Sequence, residues 1–271
     1  MSEKFSIFGG TGFIGRRLAQ RLQEAGHETY VMSRNHDFSV KDSHLGHLIY
    51  AAGVTGNRFI TDRFNTVEVH VSKLNQLLST AEFESLTYLS TCRIHERSMA
   101  SPESVEEFLV NPGDISDFYN LSKLLGEAMV LQSTRRYVRV VRLAYVVDLA
   151  EDSRDEVVEW WRQAQIGRLH MQCHPHTEKN YVILDEVCRA VTDIALSRQG
   201  GVFEVASEQN VRMIELGELF QEQSRCMLSF APDMALRAVR KIDISRAKIE
   251  VGFKPTPLVH YLRHTLELTA R

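Results

Sequence analysis

Tyr119 and Lys123 stand four residues apart in a segment, 118–134, whose apolar spacing predicts a helix, so both side chains project from one face. A free phenol has a pKa of about 10, too high for a base at neutral pH, but a neighbouring ammonium favours the phenolate. A tyrosine placed in this way can take a proton from a hydroxyl while hydride leaves the same carbon, or return one in the reverse direction. Taken alone, the pair also reads as an ordinary amphipathic couple on a helix surface. A second signal lies near the start of the chain. Gly9, Gly10, Thr11, Gly12, Phe13, Ile14 and Gly15 follow directly on a short apolar strand, Lys4 to Phe8, and open a helix-patterned stretch from Phe13. Glycines at this spacing let the backbone turn sharply and approach a pyrophosphate, to which the helix N-terminus offers N–H groups and partial positive charge. The strand–turn–helix context, followed by a second strand over 27–33, points to a dinucleotide-binding turn.

The elements that must position these groups alternate along the first half of the chain. HLIYAAG (47–53) and SLTYLST (85–91) read as buried strands, 62–83 and 118–134 as helices, and YVRVVRLAYVV (137–147) as one β-branched strand. Such alternation implies right-handed crossovers and a parallel sheet. The expected fold is α/β, a doubly wound parallel sheet of the Rossmann type, with ligands at the carboxyl ends of the strands. The dinucleotide-binding domain is expected over 1–148. A small α+β substrate lobe is expected over 149–271, with some segments returning to the central core. In that lobe 157–166 reads as a helix whose Trp160 and Trp161 are core residues.

Bulk properties narrow the function classes. A formal net charge of −3 gives no electrostatic case for nucleic acid or an anionic membrane, and no apolar run approaches membrane-spanning length. Cys92, Cys173, Cys188 and Cys226 are scattered and read as reduced thiols of a cytoplasmic protein. The Gly-rich turn comes so early that no signal peptide is expected before it.

GGTGFIG at the start and YNLSKLLGE at 119–127 resemble the extended short-chain dehydrogenase/reductase family, in its NAD-dependent epimerase/dehydratase branch that modifies nucleotide sugars. The resemblance extends over nearly the whole chain. LSTCRIH (89–95) occupies the family's Ser/Thr strand end, NYVILDEVCRA (180–190) is similar to its DYVxVxDVxxA segment, and DISRAKIEVGFKPTPL (243–258) to its DxSKAxxxLGFxPxxxL ending. It implies that Tyr119 is the acid/base, that Lys123 also binds the nicotinamide ribose, and that Thr91 orients the substrate oxygen with Ser90 beside it. It also implies that Ala51, Ala52 and Gly53 lie beside the cofactor and that His70 stands near a cofactor-contacting position. Relatives often pair the helices corresponding to 62–83 and 118–134 across a homodimer, and Leu74, Leu77, Leu78, Leu121, Leu124 and Leu125 give them apolar surface.

Several positions depart from the family pattern. Cys92 and Arg93 replace the Asp-Glu pair of the dehydratases, which disfavours sugar dehydration, and Arg93 is counted among the substrate contacts. His95 stands where a second Tyr is frequent, and Tyr145 replaces a substrate-contacting Asn. The second strand ends Met32-Ser33-Arg34-Asn35, where NAD enzymes of this fold commonly carry an acidic side chain for the adenosine 2′-hydroxyl. Arg34 can pair with a 2′-phosphate and Ser33 can donate to it, so NADP is favoured and NAD possible. The link to the next strand is too short for the family's usual extra strand and helix, which predicts a trimmed adenine pocket. HMQCHPHTEK (170–179) groups His170, Cys173, His174 and His176, but its spacing fits no familiar zinc site and no metal is expected. The resemblance instead places His174 and His176 near a phosphate or sugar, and Arg240, with Arg237, near a diphosphate. The expected function is an NAD(P)-dependent nucleotide-sugar epimerase or ketoreductase. The alternatives are a small-molecule carbonyl reductase of the same fold and a non-enzymatic dinucleotide-sensing protein.

Overall fold

The structure is a computed structural model that describes residues 2–33, 36, 44–54, 58–97, 108–150, 153 and 155–269. The first unit is β1 (Lys4–Phe8), α1 (Phe13–Glu24) and β2 (Glu28–Met32), followed by β3 (His47–Tyr50). Two short helices, α2 (Arg58–Thr61) and α3 (Arg63–Val67), run through a π-helical turn, Glu68–Ser72, into α4 (Lys73–Thr80). Then come β4 (Ser85–Thr91), the 3₁₀ turn Cys92–Arg97, α5 (Ile115–Leu131) and β5 (Val138–Leu143).

These strands and a later one, which belongs to the C-terminal half, form one six-stranded sheet in which every pair is parallel. From one edge the order is β2, β1, β3, β4, β5 and then the strand Gly201–Val205. The order reverses between β1 and β3, so the crevice at their carboxyl ends is the topological switch point, and the Gly-rich turn emerges there. α1 packs on one face, while α4 and α5 pack together on the other. β4 is buried along almost its whole length, as a strand covered on both faces must be. β2 is the edge strand, and among the described residues no strand pairs with its outer side.

α5 starts earlier than its apolar spacing predicts, because the Asp114 side chain accepts the Ser116 N–H (2.8 Å) and caps the helix there. The predicted strand over 137–147 is in fact two. The Ala144 N–H still donates to Val205 in the central sheet (3.1 Å), but the Tyr145 N–H donates to Asn180 (3.0 Å), and the chain leaves the sheet between them. β6 (Tyr145–Val147) then belongs to the C-terminal part, with α6 (Glu156–Gln165), β7 (Arg168–Met171), β8 (Glu178–Lys179) and β9 (Tyr181–Ile183). α7 (Leu184–Leu196) returns to pack on α1, and β10 (Gly201–Val205) is the strand that lies beside β5. β11 (Val211–Arg212), α8 (Met213–Ser224), β12 (Met227–Phe230), α9 (Ser245–Val251) and α10 (Leu258–Thr269) complete the chain.

A separate apolar cluster from β6, α6, β7, β9, α8 and α10 forms the core of the C-terminal part, with Trp160 and Trp161 half-buried against it. All four cysteines are free. No helix among the described residues is long and apolar enough to cross a membrane.

Candidate active site

The turn after β1 packs tightly against its neighbours because three of its positions lack a Cβ. Gly9 has φ +85°, and a Cβ there would lie 2.5 Å from the Ala52 backbone nitrogen at the end of β3. At Gly10 it would meet the Val31 side chain at 2.7 Å, and at Gly15 the Gly9 carbonyl. The Gly12 N–H closes the turn on the Gly9 carbonyl (3.0 Å). Gly12 caps α1 with no side-chain acceptor, and no acidic residue lies in the first turn. Thr11, Gly12 and Phe13 are exposed, Ile14 is half-buried against the core, and Gly15 is buried. A tight glycine turn ending in an uncapped helix N-terminus fits a dinucleotide's pyrophosphate. Ala51, Ala52 and Gly53 form the facing wall, where the Ala51 N–H donates to Phe8 (2.9 Å). Ser33 is exposed just past β2, whereas Arg34 lies outside the described residues.

Across the crevice, Tyr119 on α5 is almost fully buried and lies close to the Thr91 hydroxyl at the end of β4. Its ring stands between Phe59 (5.3 Å between centroids) and the edge-on ring of His70 (5.5 Å). Burial pushes the phenol up to about 12, against the charge of Arg93 and the nearby Thr91 hydroxyl. Lys123, one turn further on, donates to the Leu89 carbonyl (3.0 Å) and lies over the Tyr88 ring. Burial brings its pKa down to about 8, with Glu127 opposing.

His70 and Ser90, both expected among the cofactor contacts, are engaged within the protein. The Val54 N–H donates to His70 Nε2 (3.1 Å). Ser122 Oγ donates to the Tyr119 carbonyl (2.8 Å), so its oxygen accepts from His70 Nδ1 (2.8 Å). Burial and the charge of Lys123 lower His70 to about 2, so it is a neutral ring that pins the Gly53–Val54 turn to α5. Ser90 donates to the buried carboxylate of Glu127 (2.5 Å), which draws it away from the substrate side.

Glu127 opens a buried charge chain. Arg142 on β5 donates to both Glu127 oxygens and, through Nη1, to Glu204 on β10 (2.9 Å). His95 Nε2 bonds the same Glu204 oxygen (2.9 Å), and Arg240 donates to His95 Nδ1 (3.0 Å). Arg240, expected on a diphosphate, is therefore anchored on the wall of the crevice. The Cys92 thiol also donates to Glu204 (3.3 Å), and burial holds its pKa well above the ordinary range. Cys92, His95 and Glu204 converge as metal ligands would, but the carboxylate is bonded to Arg142 and the thiol keeps its proton, a donor set unsuited to a cation. A second convergence, Glu3, His47 and Glu84, lies at the opposite end of the sheet.

Tyr145 donates to Glu96 (3.0 Å), and burial followed by Glu96 raises its phenol. His174 accepts the His176 N–H (3.1 Å) and the two rings stand 5.6 Å apart, while His170 bonds Ser229 and Gln172. None of their described contacts reaches Tyr119 or Thr91. Phe59, Glu96, Glu127, Arg142 and Glu204 were not read from the sequence as part of the site. Glu127 carried a signal, since 119, 123 and 127 share one helical face, and so did Arg142 and Glu204 as charges inside apolar strands.

A family model, described as the NAD dependent epimerase/dehydratase family, matches residues 6–147, just over half of the chain. No curated protein matches the chain by sequence. Among solved structures, MoeE5 in complex with UDP-glucose and NAD aligns over 99% of both chains, with TM-score 0.78 and 17% identity. RMD from Pseudomonas aeruginosa complexed with NADPH aligns over 97% of this chain and 98% of its own, with TM-score 0.74 and 21% identity. A UDP-galactose 4-epimerase aligns over 98% of both chains, with TM-score 0.73 and 19% identity. At these identities the likeness is one of fold.

Removing Arg142 leaves Glu127 and Glu204 facing each other across a buried gap. Arg142→Met is expected to destabilise the protein by about 3–5 kcal/mol at neutral pH in denaturant unfolding. Burial pushes Glu204 up, but His95 and Arg142 together hold it below its ordinary range. In the wild type that contribution is present above the unfolded carboxylate pKa and lost as pH falls through the lower folded one. The deficit of the variant should therefore narrow in acid. An equal deficit at every pH would show that the lost packing, not the charge, matters.

Proposed function

The chain belongs to the NAD-dependent epimerase/dehydratase family, and from that premise we propose that it is an NAD(P)-dependent nucleotide-sugar epimerase or ketoreductase. The observation that carries this reading is the placing of Tyr119 close to Thr91 at the strand ends, beside the Gly-rich turn and Lys123. Solved structures of the same fold hold UDP-glucose with NAD in one case and NADPH in another, which supports a nucleotide-linked sugar beside a nicotinamide dinucleotide. Residues 149–271 are read mainly as the substrate-binding lobe, with segments such as α7 and β10 returning to the central core.

A nicotinamide dinucleotide, when bound, supplies the hydride acceptor or donor and, oxidised, a positive charge. Tyr119 moves the proton. In the reducing direction its phenol gives a proton to the carbonyl oxygen while the carbonyl carbon gains hydride; in the oxidising direction its phenolate takes the hydroxyl proton. With its pKa pushed up to about 12 by burial, the phenol holds its proton at neutral pH, the form that a reduction needs first. Thr91 aligns the reacting oxygen, and Lys123 supplies an ammonium to the ribose. The protonated Cys92 and the cationic Arg93 occupy the positions of the dehydratase carboxylates, which argues against elimination of water. One observation favours a second reading, a carbonyl reductase acting without a nucleotide: Arg240 is held by His95 and not left open for a diphosphate.

Tyr119→Phe should lower turnover by roughly a hundredfold to ten-thousandfold with dinucleotide affinity nearly intact. Lys123→Ala should reduce both, and Thr91→Ala should fall close to Tyr119→Phe, because Ser90 is committed to Glu127. Near-normal turnover in Tyr119→Phe would end the mechanism. The substrate class is read by thermal shift with UDP-, GDP-, dTDP- and CDP-sugars, since a ligand of the native state raises apparent stability. No shift with any of them favours the carbonyl reductase.

NADP(H) should bind more tightly than NAD(H), and Arg34→Ala should remove the difference; equal losses for both cofactors in dissociation-constant measurements would contradict this.

A homodimer is the expected assembly, with corrected contacts. Leu74 and Leu77 are already buried in the chain's own core, whereas Phe64 is 93% exposed, and Val67, Leu121 and Leu125 also face outward on α3 and α5. Light scattering should give a dimer at micromolar concentration and a weakened one for Phe64→Glu; a monomeric wild type contradicts it.

A further inference from the structure

Arg93 follows the end of β4 directly, in the turn Cys92–Arg97, and its backbone N–H donates to Thr91 Oγ1 (3.2 Å). Its guanidinium carbon lies 5.6 Å from the centroid of the Tyr119 ring and 5.5 Å from that of Phe59, and the two centroids are 5.3 Å apart, so charge and two tilted rings form one triangular cluster. Other cations of this region have polar partners: Arg142 has Glu127 and Glu204, Arg240 has His95, and Lys123 has the Leu89 carbonyl. Arg93 has no carboxylate within ion-pair distance among the described residues, and Glu96 in the same turn accepts from Tyr145 instead. A half-buried guanidinium pressed on a phenol ring is placed to stabilise negative charge on that ring.

We propose that Arg93 is a positioning residue for Tyr119, the fixed cation that stabilises its phenolate before and after proton transfer, in addition to Lys123. The proposal rests on the reading of Tyr119 as acid/base. Lys123 is turned towards Leu89 and Tyr88, and His70 on the other side of the ring is neutral, as is Tyr88 in β4. Glu96 accepts from Tyr145, on whose phenol its charge and that of Arg93 act in opposite directions. Arg93 is thus the positive charge lying over the Tyr119 ring itself. When the phenol gives its proton to a carbonyl oxygen, the electron pair of the O–H bond stays on Tyr119, and Arg93 compensates the charge left in a buried site.

The test places a ring-fluorinated tyrosine at position 119 of the full chain. Its more acidic phenol titrates where the fold is intact, and fluorine NMR reads that one side chain without substrate or dinucleotide. Arg93→Met should raise its pKa by about one unit, consistent with a unit charge at this separation in a partly screened site. Arg93→Lys should keep at least half of the difference. Phe59→Leu, which removes one ring of the cluster and keeps the charge, should move the pKa much less than Arg93→Met. Lys123→Met should also move it less. If Arg93→Met does not fold, Arg93→Gln serves in its place. A change within a few tenths of a unit on losing Arg93, or an equal change on losing Lys123, overturns the proposal. The titration needs no turnover, so its failure leaves the proposed reaction standing, and retained activity in Tyr119→Phe would remove the reaction without touching the titration.

Discussion

Arg142 is the next-to-last residue of β5, a parallel strand covered on both faces, where an apolar side chain is the rule. Its guanidinium is held by Glu127 from α5 and by Glu204 from β10, and Glu204 extends the contact to His95 and so to Arg240. Buried ion pairs seldom add net stability over well-packed apolar groups, but they penalise every arrangement that leaves one partner alone. Here that penalty fixes α5 against the sheet at Glu127, on the same helical face as Tyr119 and Lys123. It also fixes the 3₁₀ turn at His95, two residues past Arg93. The reacting groups sit between these two anchors, so their separation is set by a network that need not touch substrate itself.

The polarity of the site follows from the same economy of buried charge. His70 is neutral and bridges Val54 to Ser122, and Cys92 is a protonated thiol whose hydrogen bonds end on Arg142 and Glu204. Neither offers negative charge to the crevice. Arg93 lies over the Tyr119 ring as a cation, so its field favours an anion on the phenol even though burial opposes one. Desolvation and fixed charge thus act in opposite directions on one oxygen, which keeps the proton on Tyr119 at rest and lowers the cost of releasing it during reaction.

The sequence was most legible where backbone demands are local. The Gly9–Gly15 spacing, the apolar strands and the four-residue step from Tyr119 to Lys123 each follow from geometry that neighbours along the chain dictate. The pieces that escaped depend on partners distant in sequence. Nothing between 137 and 147 marks the departure from the sheet at Ala144, because Asn180 supplies the new hydrogen-bond partner. The π-helical turn at Glu68–Ser72, which carries His70, lies inside an unbroken helical pattern. Leu74 and Leu77 looked available for a second chain because periodicity reveals a face and not what covers it. Arg34, on which the choice of dinucleotide turns, is outside the described residues.

β2 closes the sheet with Tyr30 and Val31 turned outward and no described strand beyond it. In an open α/β sheet the strand past this position helps to wall in the adenosine end of a dinucleotide. Among the described residues the outer row of β2 backbone groups has no strand partner, which makes this edge, and not the covered interior of the sheet, the place where another strand could add.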